Sequence, residues 1–140
     1  MKYVLDASVA LKWVLSEPDS AAANTLRDEF IREMHELIAP DTFLAEVAHA
    51  LTKAERRKVI AAGEASLLLG DILTTRPQLQ SFIPLLPRAV DLATQARIGV
   101  YDCLYVALAE REQCPLVTAD QRLINTFQGR FSILSLSSLL

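Results

Sequence analysis

The chain is poor in the residues on which most enzyme chemistries are built. It has two histidines and two cysteines in 140 residues. With so few histidines, a Ser–His–Asp relay or a pair of catalytic imidazoles has almost no material. Cys103 and Cys114 lack a C-x-x-C spacing, which removes the usual zinc and redox signals. Both fall in helical or helix-end sequence and are expected as small core residues in a reducing compartment. No G-x-S-x-G, Walker or G-x-G-x-x-G pattern occurs. No apolar stretch approaches the roughly 20 residues of a membrane span. The opening Met1-Lys2-Tyr3-Val4-Leu5-Asp6 meets an acid too early for a signal peptide. A soluble, cytoplasmic protein with no membrane partner is expected. No repeat, linker or low-complexity segment divides the chain, so residues 1–140 read as a single domain. An excess of positive charge is missing too. The formal net charge is −3, which by itself disfavours a general nucleic-acid binder.

What is present is a core-forming composition, 51% hydrophobic, interrupted by four awkward acids. Asp6 ends the apolar run Tyr3-Val4-Leu5. Glu46 lies on or beside an apolar helical stripe. Asp102 opens a helix that is otherwise almost all apolar, and Asp120 follows Pro115-Leu116-Val117. An isolated buried carboxylate is costly, so such groups are paired, protonated or bound to metal. The neighbouring sequence offers too few Lys or Arg to pair them all. Hard divalent cations prefer oxygen ligands, and four such carboxylates suit them. Removing their four negative charges from the formal −3 leaves +1, so with the acids neutralised an anionic polymer is not repelled.

Short apolar runs alternate with helical periodicity. Strands are expected at Lys2–Leu5, Leu37–Ala39, Gln80–Ile83, Leu116–Thr118 and Ser132–Leu134. Helices are expected at Val9–Leu15, Ser20–Glu36, Phe43–Arg57, Ala61–Thr74, Arg88–Arg97, Tyr101–Gln113 and Gln121–Phe127. Prolines 40, 77, 84, 87 and 115 mark breaks between elements. This alternation implies right-handed βαβ units and an open parallel sheet covered on both faces. Ligands of such sheets bind beyond the carboxyl ends of the strands, at the switch point. Asp6 and Asp120 stand just past two strand ends, and Glu46 and Asp102 in first turns of helices that can lean over the same edge.

Each acid also has a bland reading. Asp6 and Asp120 are good helix caps, Asp102 gains from a helix dipole, and Glu46 fits a solvated stripe edge. Ser8 can cap a helix and hydrogen-bond a carboxylate. His49 shares a helix face with Glu46 and is expected beside the acids rather than on a metal. His35 is expected to end a helix in solvent. Lys53, Arg56, Arg57 and Lys58 form a solvated helix end, or, with Lys53, Arg56 and Arg57, a phosphate-contacting patch. Ile60, Leu67–Leu69 and the tail Leu136, Leu139 and Leu140 offer more apolar surface than one small core needs, which points to a dimer with Phe43–Arg57 and Ala61–Thr74 near its interface.

The segments LDASVALKW, PDTFLAEVAHAL, GVYDCLYVALAE and LVTADQRL together resemble the PIN-domain ribonucleases, in particular the VapC-like toxins of toxin–antitoxin pairs. The resemblance spans essentially the whole chain. It implies a PIN-like, three-layer α/β/α fold and a metal-dependent endoribonuclease. It makes Asp6, Glu46, Asp102 and Asp120 the acidic quartet holding Mg²⁺ or Mn²⁺, with Ser8 and Thr118 as the small hydroxyl residues beside the first and last acids. It further implies an RNA substrate such as a tRNA or a ribosomal RNA loop, an antitoxin that occludes the cleft, and a homodimer. Two positions depart from the pattern: His49 stands where the family often has Asn, and Cys103 where Ala is common. The residues alone leave open a catalytically weak RNA- or protein-binding module, or a metal-dependent phosphatase of small substrates.

Overall fold

A computed structural model describes residues 1–139. The elements in chain order are β1 (Lys2–Leu5), α1 (Ala7–Val14), α2 (Ser20–Ile31), β2 (Glu36–Pro40), α3 (Phe43–Arg56), α4 (Glu64–Leu73), β3 (Gln78–Gln80), α5 (Leu86–Ala96), α6 (Val100–Glu112), β4 (Leu116–Thr118), α7 (Gln121–Phe127) and β5 (Ile133–Ser135). Short 3₁₀ turns precede α5 and close the chain. The strands form one parallel sheet in the order β3-β2-β1-β4-β5. The chain steps from β1 outward to β2 and β3, then crosses back to lay β4 on the other side of β1. The switch point therefore lies between β1 and β4. Helices cover both faces, giving three α/β/α layers.

α6 is the central helix. Cys103 through Ala109 are all buried, so it reads as apolar all round rather than as an amphipathic stripe. It packs on β1 and β2, with α5 against its outer side, while α1 gathers α2, α3 and α4. In α3 the buried residues Phe43, Val47 and Leu51 recur at a spacing of one turn, and Glu46 stands at the border of that stripe. Both cysteines are buried and unbridged.

Several expected boundaries move. α2 stops at Ile31 instead of running to Glu36, because Glu33 takes a left-handed φ of 61°. Its N–H returns to the Phe30 carbonyl while that of Met34 reaches Glu29, a common helix ending. His35 is consequently not a solvated helix end. It meets Glu29 at 2.6 Å and packs edge-on against Tyr3. α4 begins at Glu64 because Gly63 has a φ of 86°, a backbone that suits glycine. β3 lies earlier than Gln80–Ile83, since Asp41 Oδ1 captures the Phe82 N–H and pulls the chain out of the sheet. Leu136 belongs to the core rather than to a spare apolar surface. Leu139 packs against that core, and Leu140 lies outside the described residues.

Candidate active site

The carboxyl edge of β1 and β4 delivers the acids. The Asp6 N–H bonds the Val117 carbonyl at 3.1 Å, which extends the β1–β4 ladder by one step and sets Asp6 beside Thr118. Asp6 then caps α1 by position without a side-chain cap bond. Asp120 caps α7 in full, its Oδ1 accepting from the N–H groups of Arg122 at 3.0 Å and Leu123 at 3.3 Å. Its cap role is thus real and occupies one oxygen. Glu46 and Asp102 occupy the first turns of α3 and α6.

Hydroxyl groups hold two of these carboxylates, Asp6 and Glu46, in place. Ser8 Oγ donates to Asp6 Oδ2 at 2.5 Å, and Thr118 Oγ1 donates to the same oxygen at 2.9 Å. Each hydroxyl in turn accepts a backbone N–H, Ser8 from Ala119 at 3.1 Å and Thr118 from Asp120 at 3.0 Å. Because its lone pairs serve those N–H groups, each hydroxyl presents its proton to Asp6. Neither hydroxyl bonds Oδ1, which stays available to another partner. On the other side, the Tyr105 hydroxyl donates to Glu46 Oε2 at 2.5 Å, with Thr42 more distant at 3.4 Å. Tyr105 is fully buried in α6. It ties α6 to α3 at the site. The sequence reading missed Tyr105. The signal was a tyrosine three residues after Asp102 in an otherwise apolar helix, since a buried tyrosine hydroxyl needs a partner.

The electrostatics are those of crowded acids. Burial pushes the Asp6 carboxyl up, opposed by the Ser8 and Thr118 hydrogen bonds. Glu46 is pushed up to about 7, by desolvation first and then by Asp6 and Asp102, against the Tyr105 bond. Asp102 is pushed up to about 6 by desolvation, Asp6 and Asp120, with Arg122 pulling the other way. None of the four acids forms an ion pair among the described residues. The donor set is all oxygen, which in chemistry fits a hard divalent cation. As they stand, however, no three Asp, Glu, His or Cys side chains among the described residues are gathered closely enough to hold one ion.

The remaining candidates divide between different surfaces. Lys53 and Arg57 line a cleft of about 400 Å³ that also contains Lys12, ion-paired with Glu17, and reaches Ser8 and Ala119, sequence neighbours of Asp6 and Asp120. Lys12 was not anticipated as part of it. Arg56 lines a larger, adjoining groove of mixed character with Val59 and Leu68. His49 is exposed at the rim beside Glu46, in a separate cavity shared with Thr42, Ala45 and Tyr101.

Comparison with known proteins gives a consistent picture. The PIN domain family model matches residues 3–127. Ribonuclease VapC3 of Pyrobaculum aerophilum is 33% identical over 129 residues, covering 91% of this chain and 95% of its own. The crystal structure of PAE2754 from Pyrobaculum aerophilum superposes with a TM-score of 0.72 at 24% identity, covering 99% of this chain and 95% of that one. VapBC2 from Rickettsia felis, solved bound to a DNA fragment from its promoter, superposes with a TM-score of 0.68 at 20% identity, over 96% of this chain and 98% of that one.

Proposed function

The chain belongs to the PIN-domain family, in its VapC ribonuclease branch, and from that membership we propose that it is an endoribonuclease toxin that hydrolyses RNA at Asp6, Glu46, Asp102 and Asp120. The observation that carries this reading is the acidic edge itself. Four carboxylates without an ion-pair partner stand at the topological switch point, two of them, Asp6 and Glu46, oriented by hydroxyls. Strongly perturbed acids in a cleft are a mark of function rather than of packing.

In this reading the four acids hold Mg²⁺ or Mn²⁺, which when bound supplies charge for the phosphate oxygens and lowers the pKa of a water. Ser8 and Thr118 fix one oxygen of Asp6 and leave the other for the ion. Tyr105 fixes Glu46, and one of the carboxylates accepts the proton of the attacking water. Lys12, Lys53 and Arg57 track the flanking phosphates, as point charges that add affinity without sequence preference. Arg56, on the other groove, is left out of that track. A cognate antitoxin, of the kind paired with the VapC chain in the VapBC2 complex, is the natural inhibitor. A basic side chain placed among the acids would compete with the metal. Exposed Leu67 and Val59 favour a homodimer built near α3 and α4, which light scattering would test. The cytoplasm, where tRNA and ribosomal RNA reside, is the expected place of action.

The chemistry makes a specific product. A water nucleophile leaves the 2′-hydroxyl unused, so sequencing of RNA ends after brief induction should find 5′-phosphates and 3′-hydroxyls at a small set of positions. Cutting by the purified chain should stop with EDTA. A 2′,3′-cyclic phosphate formed without metal would refute the carboxylate–metal mechanism.

A further inference from the structure

Helix α3 contributes to two cavities of different character. On one side is the basic cleft of Lys12, Lys53 and Arg57. On the other is a cavity of about 560 Å³ lined by Thr42, Ala45, Glu46, His49 and Tyr101. Glu46 itself lines this cavity, with the His49 ring about one helical turn along α3 and the Tyr101 ring supplied by α6. Tyr101 is 59% exposed, and no other Phe, Trp or Tyr among the described residues is exposed. Every other large ring has found core or partial cover. This one stands open at the mouth of the site, its hydroxyl making no hydrogen bond among the described residues.

We propose that this cavity receives one unpaired nucleobase of the RNA, next to the phosphate at the acids, with its face stacked on Tyr101 and its edge toward His49 and Thr42. The proposal rests on the ribonuclease reading above. A base hangs from its phosphate by one sugar, so a phosphate at Glu46 and Asp102 carries its base to within reach of the adjoining cavity. The volume falls in the range of small-molecule pockets, roughly 300–1,000 Å³. The Tyr101 ring and Ala45 suit a π-face, while the Thr42 hydroxyl and the His49 ring nitrogens suit a polar rim. A paired base has both faces and its Watson–Crick edge already occupied, so the cavity selects loops, bulges and ends. A larger groove of about 890 Å³, with Val14, Leu15, Val59, Ile60 and Leu68 in its wall, lies elsewhere for a protein partner's apolar side chains.

The test is binding by the full chain carrying Asp102→Asn, read by fluorescence anisotropy with a short single-stranded RNA in which one abasic position is walked along the strand. At one position the abasic sugar should weaken binding by roughly 5- to 150-fold, the range for loss of one base–aromatic stack. Adding Tyr101→Ala should weaken binding of intact RNA by a similar factor and abolish the abasic effect, while Tyr101→Phe should retain both. Tyr101 is exposed, so neither change threatens the fold. Absence of coupling at every position overturns the proposal, as does a Phe variant as weak as Ala. So does a Tyr101→Ala chain that binds RNA normally but releases a co-expressed inhibitor protein, which would make the cavity a protein contact. Coupling in a chain whose wild type cuts no RNA leaves the base site standing and refutes the nuclease reading instead.

Discussion

The two ends of the first strand hold their charges in opposite ways. At the amino end, Lys2 meets Glu112 at 2.8 Å in a solvent-accessible pair, and the pairing holds the Glu112 carboxyl below its usual range. At the carboxyl end, Asp6 is only 6% exposed. It meets two hydroxyls and no cation, and three more acids stand around it. The rim of the molecule follows the first pattern, with Arg27–Asp71 and Arg88–Glu110 both at 2.8 Å. The chain therefore has the means to neutralise its carboxylates and does so where only stability is at stake. Where it leaves them unpaired, with Asp6 buried and the others half-buried, the local rule is broken, as it typically is at functional sites.

The sharpest way to break this contrast is to remove charge at the buried end. Asp6→Asn or Asp102→Asn should lower cleavage by several orders of magnitude, because groups that act as a unit fail together. The same changes should raise the melting temperature of the metal-free protein, since they relieve repulsion and desolvation. Full cleavage by Asp102→Asn would remove it from the site. Tyr105→Phe comes next. It keeps the ring in the core and deletes only the proton donor to Glu46, so cleavage and Mn²⁺ affinity should fall by roughly 10- to 100-fold, as for other groups that orient a ligand. Titration calorimetry with Mn²⁺ separates this from mere loosening of the core. An unchanged Mn²⁺ affinity would reduce Tyr105 to packing.

A smaller effect is expected in pH. Glu46 lies at about 7 and Asp102 at about 6 in the fold, against ordinary values of 4.5 and 3.8. The folded state thus binds these protons more tightly than the unfolded chain. Their contribution is most favourable below the ordinary values and is lost as pH rises through the folded ones. The metal-free protein should melt several degrees lower at pH 8 than at pH 5 on this account, and Glu46→Gln should flatten the slope. A slope unaltered by that substitution would assign it to other groups. Smallest of all is the surface pair. Glu112→Gln should leave cleavage untouched and scarcely move the melting curve, because exposed ion pairs contribute little. A large loss in either would erase the distinction between the two ends of β1.

Much of this was legible without coordinates. The acids announced themselves because a charge inside an apolar run is a local anomaly, visible in one dimension. Strand and helix order followed from the same periodicities, and the edge where the acids meet followed from general rules of parallel sheets. The failures came where a boundary depended on one backbone angle, as at Glu33 and Gly63, or on a partner distant in sequence, as at Asp41 with Phe82. Apolar residues near the end of the chain looked spare because nothing local says that Leu136 reaches the core.

Residue type and spacing by themselves determined the alternating α/β architecture, the central apolar helix and the four acids that interrupt it. Only the tertiary structure decided how those acids are held. Thr118 reaches Asp6 across 112 positions, and Tyr105 reaches Glu46 across 59. It also decided that Lys53 and Arg57 line the cleft that reaches Ser8 while Arg56 lines the adjoining groove, and that Tyr101 is left open beside Asp102. The physical reason is range. Hydrophobic periodicity is a property of neighbours along the chain, whereas a hydrogen bond demands a donor and acceptor within about 3 Å, and only closure of the sheet brings such groups together.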